Sequence, residues 1–282
     1  MKYGLHVSSC AEYADARVLA DLARQAEATG WDGFFIWDHI SMSPPEPQVD
    51  PWVALAAIAM STERIRIGTM VTPLARRHPW KVAREAVSVD HLSKGRLALG
   101  VGLGDSGSEF EQFGLPSDPA IRAAMLDEAL DVLCGLWTGE DFTYDGSHFQ
   151  VRGARFTPTP VQKPRIPIWV AGFWPHKAPL RRAARYDGLF PGTLQGNMNP
   201  ASLHEILAFT NSHRTSTGSF DVVIMQDTPA DNPEAAAQIV APFIEAGATW
   251  WLEPIHGWRA PFEEMRQRIL AGPPPLKAAP SP

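Results

Sequence analysis

The sequence predicts an α/β protein of the (β/α)8 TIM-barrel class, and two observations support this prediction. Short apolar segments with strand character alternate with longer segments of helical periodicity, and no linker interrupts them. Alternation of this kind indicates a parallel sheet covered by helices. About eight such units in roughly 250 residues match the size of a (β/α)8 barrel. A doubly wound open sheet is the alternative architecture.

The first half of the chain shows the alternation most clearly. Residues 2–7 form an apolar segment that predicts the first strand. The following segment places Leu19, Leu22 and Ala26 at the spacing of one helix face, and Gly30 ends this helix. The other strands of this half are predicted at residues 33–37, 64–70 and 96–101, and its helices at residues 16–29, 50–60, 80–92 and 120–137.

The alternation is interrupted once, at residues 140–160. A polar turn at residues 144–149 separates two short β segments, so we expect a β-hairpin inserted before the fifth barrel strand. Residues 1–271 are expected to form one barrel domain, followed by a flexible Pro-rich tail at residues 272–282. After the hairpin, strands are predicted at residues 166–171, 188–190, 220–225 and 249–253, and helices at residues 179–185, 200–213, 232–246 and 261–270.

Composition excludes several functional classes. The formal net charge is −6 and no basic run occurs, so we expect no nucleic-acid partner. No apolar stretch reaches the ~20 residues of a membrane helix, and the N-terminal segment lacks the apolar core of a signal peptide. Cys10 and Cys134 are the only cysteines, which favours a reducing cytoplasm over a disulfide-stabilised protein. The scattered histidines predict no metal site.

In a barrel of this class, reactive groups lie at the carboxyl ends of the strands. Asp38 and His39 follow the second predicted strand. A histidine there can exchange a proton near neutral pH, and the aspartate can bind a ligand or orient its neighbours. A loop histidine in contact with solvent is the alternative. Arg76, Arg77 and His78 follow the third strand and could bind phosphate, but a solvated loop is favoured.

Glycines and small residues follow the fourth and fifth strands. Residues 102–107 match the G-x-G-x-x-G pattern of dinucleotide-binding proteins, but three strands precede them and the next strong helix starts well downstream. These glycines allow the backbone to approach a flat or anionic ligand, or they form a tight turn. Ala171 and Gly172, followed by Phe173 and Trp174, suit the face of a ring system. Alternatively, the two aromatic residues cover the barrel rim.

A set of segments spread along the chain carries a resemblance to one known family. Three of them are HPWKVARE at 78–85, DHLSKGRL at 90–97 and GVGLG at 100–104, and the others lie at 31–39, 160–172 and 245–251. In this order they resemble the luciferase-like flavin/deazaflavin oxidoreductases of the bacterial luciferase superfamily. The likeness spans nearly the whole chain and is specific for the family rather than for one reaction.

The resemblance implies a barrel, usually a homodimer, that binds FMN or the deazaflavin coenzyme F420 at its C-terminal mouth. Members catalyse hydride transfer or monooxygenation of small organic substrates. By position, the resemblance gives His39 an active-site role and Asp38 a cofactor contact. It also implies a non-prolyl cis peptide bond between Thr69 and Met70, in a bulge that presses on the back of the cofactor ring.

Further cofactor contacts follow from the same resemblance. Leu103, Gly104 and Asp105 would line the cofactor, with Asp105 as a second polar group for catalysis, and Ala171 and Gly172 would approach the phosphate-bearing arm. Flavin monooxygenases of the family often have Arg at the Leu103 position, where it pairs with the FMN phosphate. Leucine cannot form this pair, so coenzyme F420 is favoured over FMN. A non-catalytic flavin-binding barrel and an NAD-dependent dehydrogenase are the alternative functions.

Overall fold

The computed structural model describes residues 1–105, 107–194 and 197–274, and its central feature is a closed barrel of parallel strands. The eight strands, in their order around the barrel, are β1 (Lys2–Val7), β2 (Gly33–Ile36), β3 (Arg66–Pro73), β4 (Leu97–Gly102), β7 (Ile168–Trp174), β8 (Gly188–Thr193), β9 (Asp221–Met225) and β10 (Trp250–Ile255). β10 pairs with β1 and closes the ring. The predicted (β/α)8 class is therefore confirmed, and the open sheet is wrong.

The inserted hairpin is also present. β5 (Phe142–Asp145) and β6 (Gln150–Ala154) form a separate antiparallel pair between the fourth and fifth barrel strands. The carboxylate of Glu128 accepts hydrogen bonds from the amides of His148 and Phe149, at 2.8 and 3.0 Å. These bonds hold the hairpin turn against the barrel's outer layer of helices. Residues 275–282 of the predicted tail lie outside the described residues.

Helices surround the barrel, and local sequence explains where several of them begin. The Asp50 carboxylate accepts hydrogen bonds from the amides of Trp52 and Val53, while Pro51 occupies the first helical position. The helices are α1 (Ala16–Ala28), α2 (Pro51–Ser61), α3 (Pro79–Leu92), α4 (Gly107–Phe110), α5 (Pro119–Trp137), α6 (Lys177–Ala183), α7 (Pro200–Asn211), α8 (Pro233–Glu245) and α9 (Phe262–Leu270). The short helix α4 was not predicted. No helix in the described ranges is long and apolar enough to cross a membrane.

The barrel interior is filled by large side chains. Trp169 and Trp250 pack with their ring centres 5.3 Å apart, and Phe35 meets Trp250 edge-on at 5.7 Å. Met70 belongs to the same interior cluster, at the level of the mouth. Because this packing leaves no central pore, ligands can reach the barrel only at its two ends.

Candidate active site

A bulge in β3 shapes the mouth of the barrel. Thr69 pairs with Leu99 and Thr72 with Val101, so β3 contains one extra residue in this interval. The Met70–Val71 peptide bond inside the interval is cis. The bond predicted to be cis, Thr69–Met70, lies one residue too early, and that prediction is wrong. Thr69 still holds regular register with its neighbours on both sides, so the irregular linkage falls after Met70.

The glycines of β4 accommodate this bulge. A Cβ atom on Gly100 would lie 2.3 Å from the carbonyl oxygen of Thr69, and one on Gly102 would lie 2.7 Å from Cγ2 of Val71. Gly104 has a positive φ of 74°, which favours glycine. A Cβ on Gly107 would meet nothing within 4 Å. The glycine pattern therefore reflects close packing against β3 and the turn after β4.

His6 supports the bulge from below, and sequence reasoning did not single it out. The indole N–H of Trp37 donates to Nδ1 of His6 at 3.1 Å, so the ring carries its proton on Nε2. Nε2 donates to the carbonyl oxygen of Met70 at 2.8 Å, which is the oxygen of the cis peptide bond. Burial lowers the pKa of His6 to about 4, against the opposing effect of the Met70 hydrogen bond. His6 is therefore neutral at neutral pH.

His39 is paired with a carboxylate from α4. Its Nδ1 lies 2.9 Å from Oε1 of Glu109, which also accepts from the amide of Ile40 at 3.1 Å and from Arg76 Nη1 at 2.5 Å. Burial alone raises the pKa of Glu109, but His39, Arg76 and the Ile40 amide together lower it below its usual value. The ionised carboxylate fixes the proton of His39 on Nδ1. Nε2 is then the nitrogen available for proton exchange.

Asp38 lies beside this pair and is buried. Its carboxylate accepts hydrogen bonds from Arg76, from Arg77 at 2.9 Å and from the hydroxyl of Thr72 at 2.8 Å. The side chains of Arg76 and Arg77 are only 2% and 15% exposed, so the prediction of a solvated loop is wrong for both. The 3₁₀ turn Leu74–Arg76 after β3 directs them inward to Asp38 and Glu109.

Two cavities meet above the bulge. The smaller measures 390 Å³ and the larger 530 Å³, and both are lined by Val71 and Gly104. Of the predicted site residues, the smaller cavity is lined by Asp38, His39, Met70, Gly104 and Asp105, and the larger by Leu103, Gly104, Ala171 and Gly172. Thr69 lines neither cavity, because its side chain is buried in the barrel wall, where its hydroxyl oxygen lies 2.8 Å from that of Thr72.

The larger cavity is mostly lined by small and apolar side chains. Leu103 is half-buried, and its carbonyl oxygen accepts a hydrogen bond from Arg122 at 3.1 Å. Arg182 also lines this cavity, and its guanidinium is paired with Asp127 at 2.7 Å. Asp105 is exposed at the rim of the smaller cavity. Within the described ranges, His, Cys, Asp and Glu form no group of three suited to a metal ion.

Comparison with known proteins identifies a family and several relatives that are similar to this chain in sequence. Residues 2–272 match the family model described as luciferase-like monooxygenase. An uncharacterised protein of Mycobacterium tuberculosis is 34% identical over 169 residues, 54% of this chain and 59% of that protein. The F420-dependent glucose-6-phosphate dehydrogenase of Beutenbergia cavernae is 38% identical over 156 residues, 53% of this chain and 45% of that enzyme. The match thus spans less than two thirds of either relative.

Solved structures share the fold at low sequence identity. The coenzyme F420 dependent tetrahydromethanopterin reductase of Methanopyrus kandleri superposes with a TM-score of 0.77 at 16% identity, covering 96% of both chains. A type II Baeyer-Villiger monooxygenase of Pseudomonas putida, in complex with FMN, gives a TM-score of 0.76 at 16% identity with the same coverage. Likeness at this identity shows a common fold and does not choose between the two cofactors.

Proposed function

The chain belongs to the luciferase-like monooxygenase family, and from this premise we propose that it is an oxidoreductase that uses coenzyme F420 rather than FMN. The proposed reaction is hydride transfer between the coenzyme and a small organic substrate. The observation that carries the proposal is the pairing of His39 with Glu109 in a cavity that shares Val71 and Gly104 with a second and larger one. One cavity provides a group for proton exchange, and the other provides room for a large cofactor.

The residues at the mouth fit a planar ring with a long arm. Val71 stands on the wall that the two cavities share, and His6 holds the preceding carbonyl in place. Cavities of roughly 300–1,000 Å³ suit cofactor-sized ligands, and both fall in this range. We assign Met70 and Val71 to the ring. We assign Leu103, Gly104, Ala171 and Gly172 to the rest of the cofactor. Thr69 supports the bulge, and Asp38 orients Arg76.

The cofactor supplies the hydride chemistry when bound, and the protein supplies orientation and proton transfer. His39 Nε2 accepts a proton from a substrate hydroxyl, or donates one to a substrate carbonyl. Glu109 stabilises the imidazolium that forms, because its carboxylate already accepts the Nδ1 hydrogen bond. Arg76 keeps Glu109 ionised. Asp105 is a second polar group at the rim.

The preference for coenzyme F420 depends on the charges of the larger cavity. An FMN phosphate needs a cation that forms charge-assisted hydrogen bonds. Leu103 offers none, and Arg182 is already paired with Asp127. FMN is the alternative cofactor, with monooxygenation as the corresponding reaction.

Anaerobic turnover tests this function. The protein is mixed with oxidised coenzyme F420 and a panel of small alcohols, aldehydes and sugar phosphates. Parallel anaerobic reactions contain NAD, and separate aerobic reactions contain reduced FMN. We expect substrate-dependent loss of the absorbance of oxidised F420. Turnover with NAD only, or with FMN and oxygen only, would reverse the proposal. A bound ring that no substrate reduces would support a non-catalytic flavin-binding protein.

We further propose that the enzyme acts as a homodimer in the cytoplasm. Cys10 and Cys134 are both free thiols, as a reducing compartment favours. On α2, Val53 and Met60 are apolar yet 61% and 69% exposed, and a partner subunit would cover such residues. Light scattering at micromolar concentration is expected to give the mass of a dimer, and a strict monomer would exclude it.

A further inference from the structure

The floor of the barrel, at the amino ends of its strands, holds a cavity that the proposed function does not use. It measures 270 Å³ and lies where β1, β3 and β10 begin. Four cationic side chains and one carboxylate contribute to its lining, although the chain carries a net charge of −6. The lining residues are Lys2, Asp32, Arg64, Arg66, Gly95, Arg96 and Trp250.

Arg66 is the central residue of this cavity. It is the first residue of β3 and is only partly exposed. Its guanidinium forms no hydrogen bond or ion pair with any residue in the described part of the chain. Burial lowers the pKa of Arg66, although the charges of Asp221 and Asp90 act in the opposite direction. A partly buried guanidinium with five unused donors is a strong binding group for an anion.

The carboxylates near Arg66 are committed to other donors. Asp221 accepts from the indole N–H groups of Trp250 at 3.1 Å and Trp169 at 3.2 Å. Asp90 accepts from the backbone amide of Val161 at 2.7 Å. These two carboxylates therefore reduce the local positive potential without occupying the guanidinium of Arg66.

The carboxylate that lines the cavity itself is also engaged. Asp32 accepts a hydrogen bond from the amide of Tyr3 at 2.8 Å. This bond ties Asp32 to the start of β1. Asp32 is therefore a fixed negative charge among the four cations that line the floor.

The three remaining cations play two different parts. Arg96 is fixed, because its guanidinium donates to backbone carbonyls that include those of Ile65 and Ala59. It therefore contributes a stationary positive charge to the wall. Lys2 and Arg64 are exposed residues whose side-chain ends can adjust to a ligand. The Lys2 ammonium lies 5.2 Å from the Trp250 ring centre. Fixed and adjustable cations around one cavity suit a small anion with several oxygens.

We propose that this floor cavity binds a small oxyanion with two negative charges, of the phosphate or dicarboxylate type. Arg66 provides the paired N–H donors, and Lys2 and Arg64 approach from the solvent side. The packed rings of Phe35, Trp169 and Trp250 separate this cavity from the mouth, so the site is independent of the proposed redox function.

Isothermal titration calorimetry with inorganic phosphate, and separately with malonate, tests the floor site at constant ionic strength. Chloride serves as the competing monovalent anion. We expect saturable binding of at least one dianion, and the stronger of the two identifies the ligand type. Arg66→Gln is expected to weaken that binding about tenfold or more, because a charge-assisted contact is lost. Arg152→Gln removes an exposed arginine of β6 and is expected to change the affinity less than about twofold.

Three results would overturn the proposal: no saturable heat with either dianion, equal binding of chloride, or unchanged binding in Arg66→Gln. If Arg66→Gln does not fold, Lys2→Gln replaces it, since Lys2 is exposed and its loss leaves no buried group unpaired. Affinity for coenzyme F420 is measured on the same variants. It is expected to stay unchanged, so an error about the mouth cannot be mistaken for one about the floor.

Discussion

The arginines at the two ends of the barrel differ in whether their guanidinium groups have hydrogen-bonded partners. At the mouth, both terminal nitrogens of Arg76 are occupied, one by Asp38 and the other by Glu109. At the floor, Arg66 has no such partner among the described residues. With these charges paired, Nε2 of His39 is the group that we propose for proton transfer beside a ring. A guanidinium that no carboxylate binds directly suits an anion. Charged residues at the two ends can therefore serve different ligands, and the way they are paired decides which.

The largest effect is expected at His39. If its Nε2 exchanges a proton with the substrate, His39→Ala should lower turnover by about 10²–10⁴-fold. The fold and most of the cofactor affinity should be kept, because the Glu109 carboxylate keeps its ion pair with Arg76. Turnover per folded molecule and melting temperature are measured together.

His204→Ala is the matched control, since His204 is exposed on α7. It should change neither quantity. A rim histidine that only packs against its loop would show the opposite pattern, with a lower melting temperature and normal turnover. That result would remove His39 from the mechanism and leave Asp105 as the titratable group at the rim.

The next effect concerns the pH dependence of stability, which depends on the buried His6 below the bulge. The folded protein holds His6 neutral with a pKa of about 4, against 6.5 for an ordinary histidine. Between these values the unfolded chain binds a proton that the folded chain does not, so stability falls as the pH is lowered from 6.5 to 4. The shift corresponds to about 3 kcal/mol in the free energy of unfolding. Neighbouring His39 and His256 act in the same direction.

His6→Gln isolates this contribution. Glutamine can still donate to Met70 and accept from Trp37, but it does not titrate. Urea unfolding at several pH values should show a shallower pH dependence for the variant than for the wild type. If the free energy of unfolding depended on pH equally in both proteins, His6 would titrate normally and the region below the bulge would be open to solvent.

A smaller effect on stability is expected for the glycines of β4, and it should differ between Gly100 in β4 and Gly107 beyond it. Gly100→Ala places a methyl group against the backbone of the bulge and should cost about 1–3 kcal/mol of stability. Gly107→Ala has open space around it and should stay within about 0.5 kcal/mol of the wild type. A dinucleotide-binding loop would instead need Gly107, the last glycine of the pattern at residues 102–107, so loss of NAD binding in Gly107→Ala would contradict the packing explanation.

The smallest expected effect concerns FMN affinity after a cation is added at the mouth of the barrel. Leu103→Arg adds a cation beside the larger cavity, and FMN affinity should rise about tenfold through a contact with its phosphate. Leu92→Arg, on the exposed end of α3, is the control and should leave FMN affinity unchanged. No gain for Leu103→Arg would show that this position does not face the phosphate.

The sequence predicts the barrel well because periodicity reports burial along each element. It predicts the mouth less well. β3, β7 and β8 continue past their predicted ends at residues 70, 171 and 190, as far as Pro73, Trp174 and Thr193. Pro73, Gly172 and Pro191 lie in these extensions and weaken the strand signal, although the β7–β8 ladder continues through backbone hydrogen bonds.

Site prediction shows the same limit. His39 and Asp38 are adjacent and follow a strand, so a local pattern identifies them. Glu109 lies 70 residues from His39 and reaches it only through the unpredicted helix α4. His6 lies in the middle of an apolar strand, where the available signal was a polar residue at an inward position between Leu5 and Val7. These partners depend on tertiary contacts that one sequence does not display.

The central claim is that the mouth holds coenzyme F420 in preference to FMN. Calorimetric titration of one wild-type preparation with each cofactor, in the same buffer and without phosphate, tests it directly. We expect tighter binding of F420, and we expect His39→Ala to leave that binding nearly unchanged. FMN bound at least as tightly as F420 would contradict the claim and make flavin-dependent monooxygenation the better assignment.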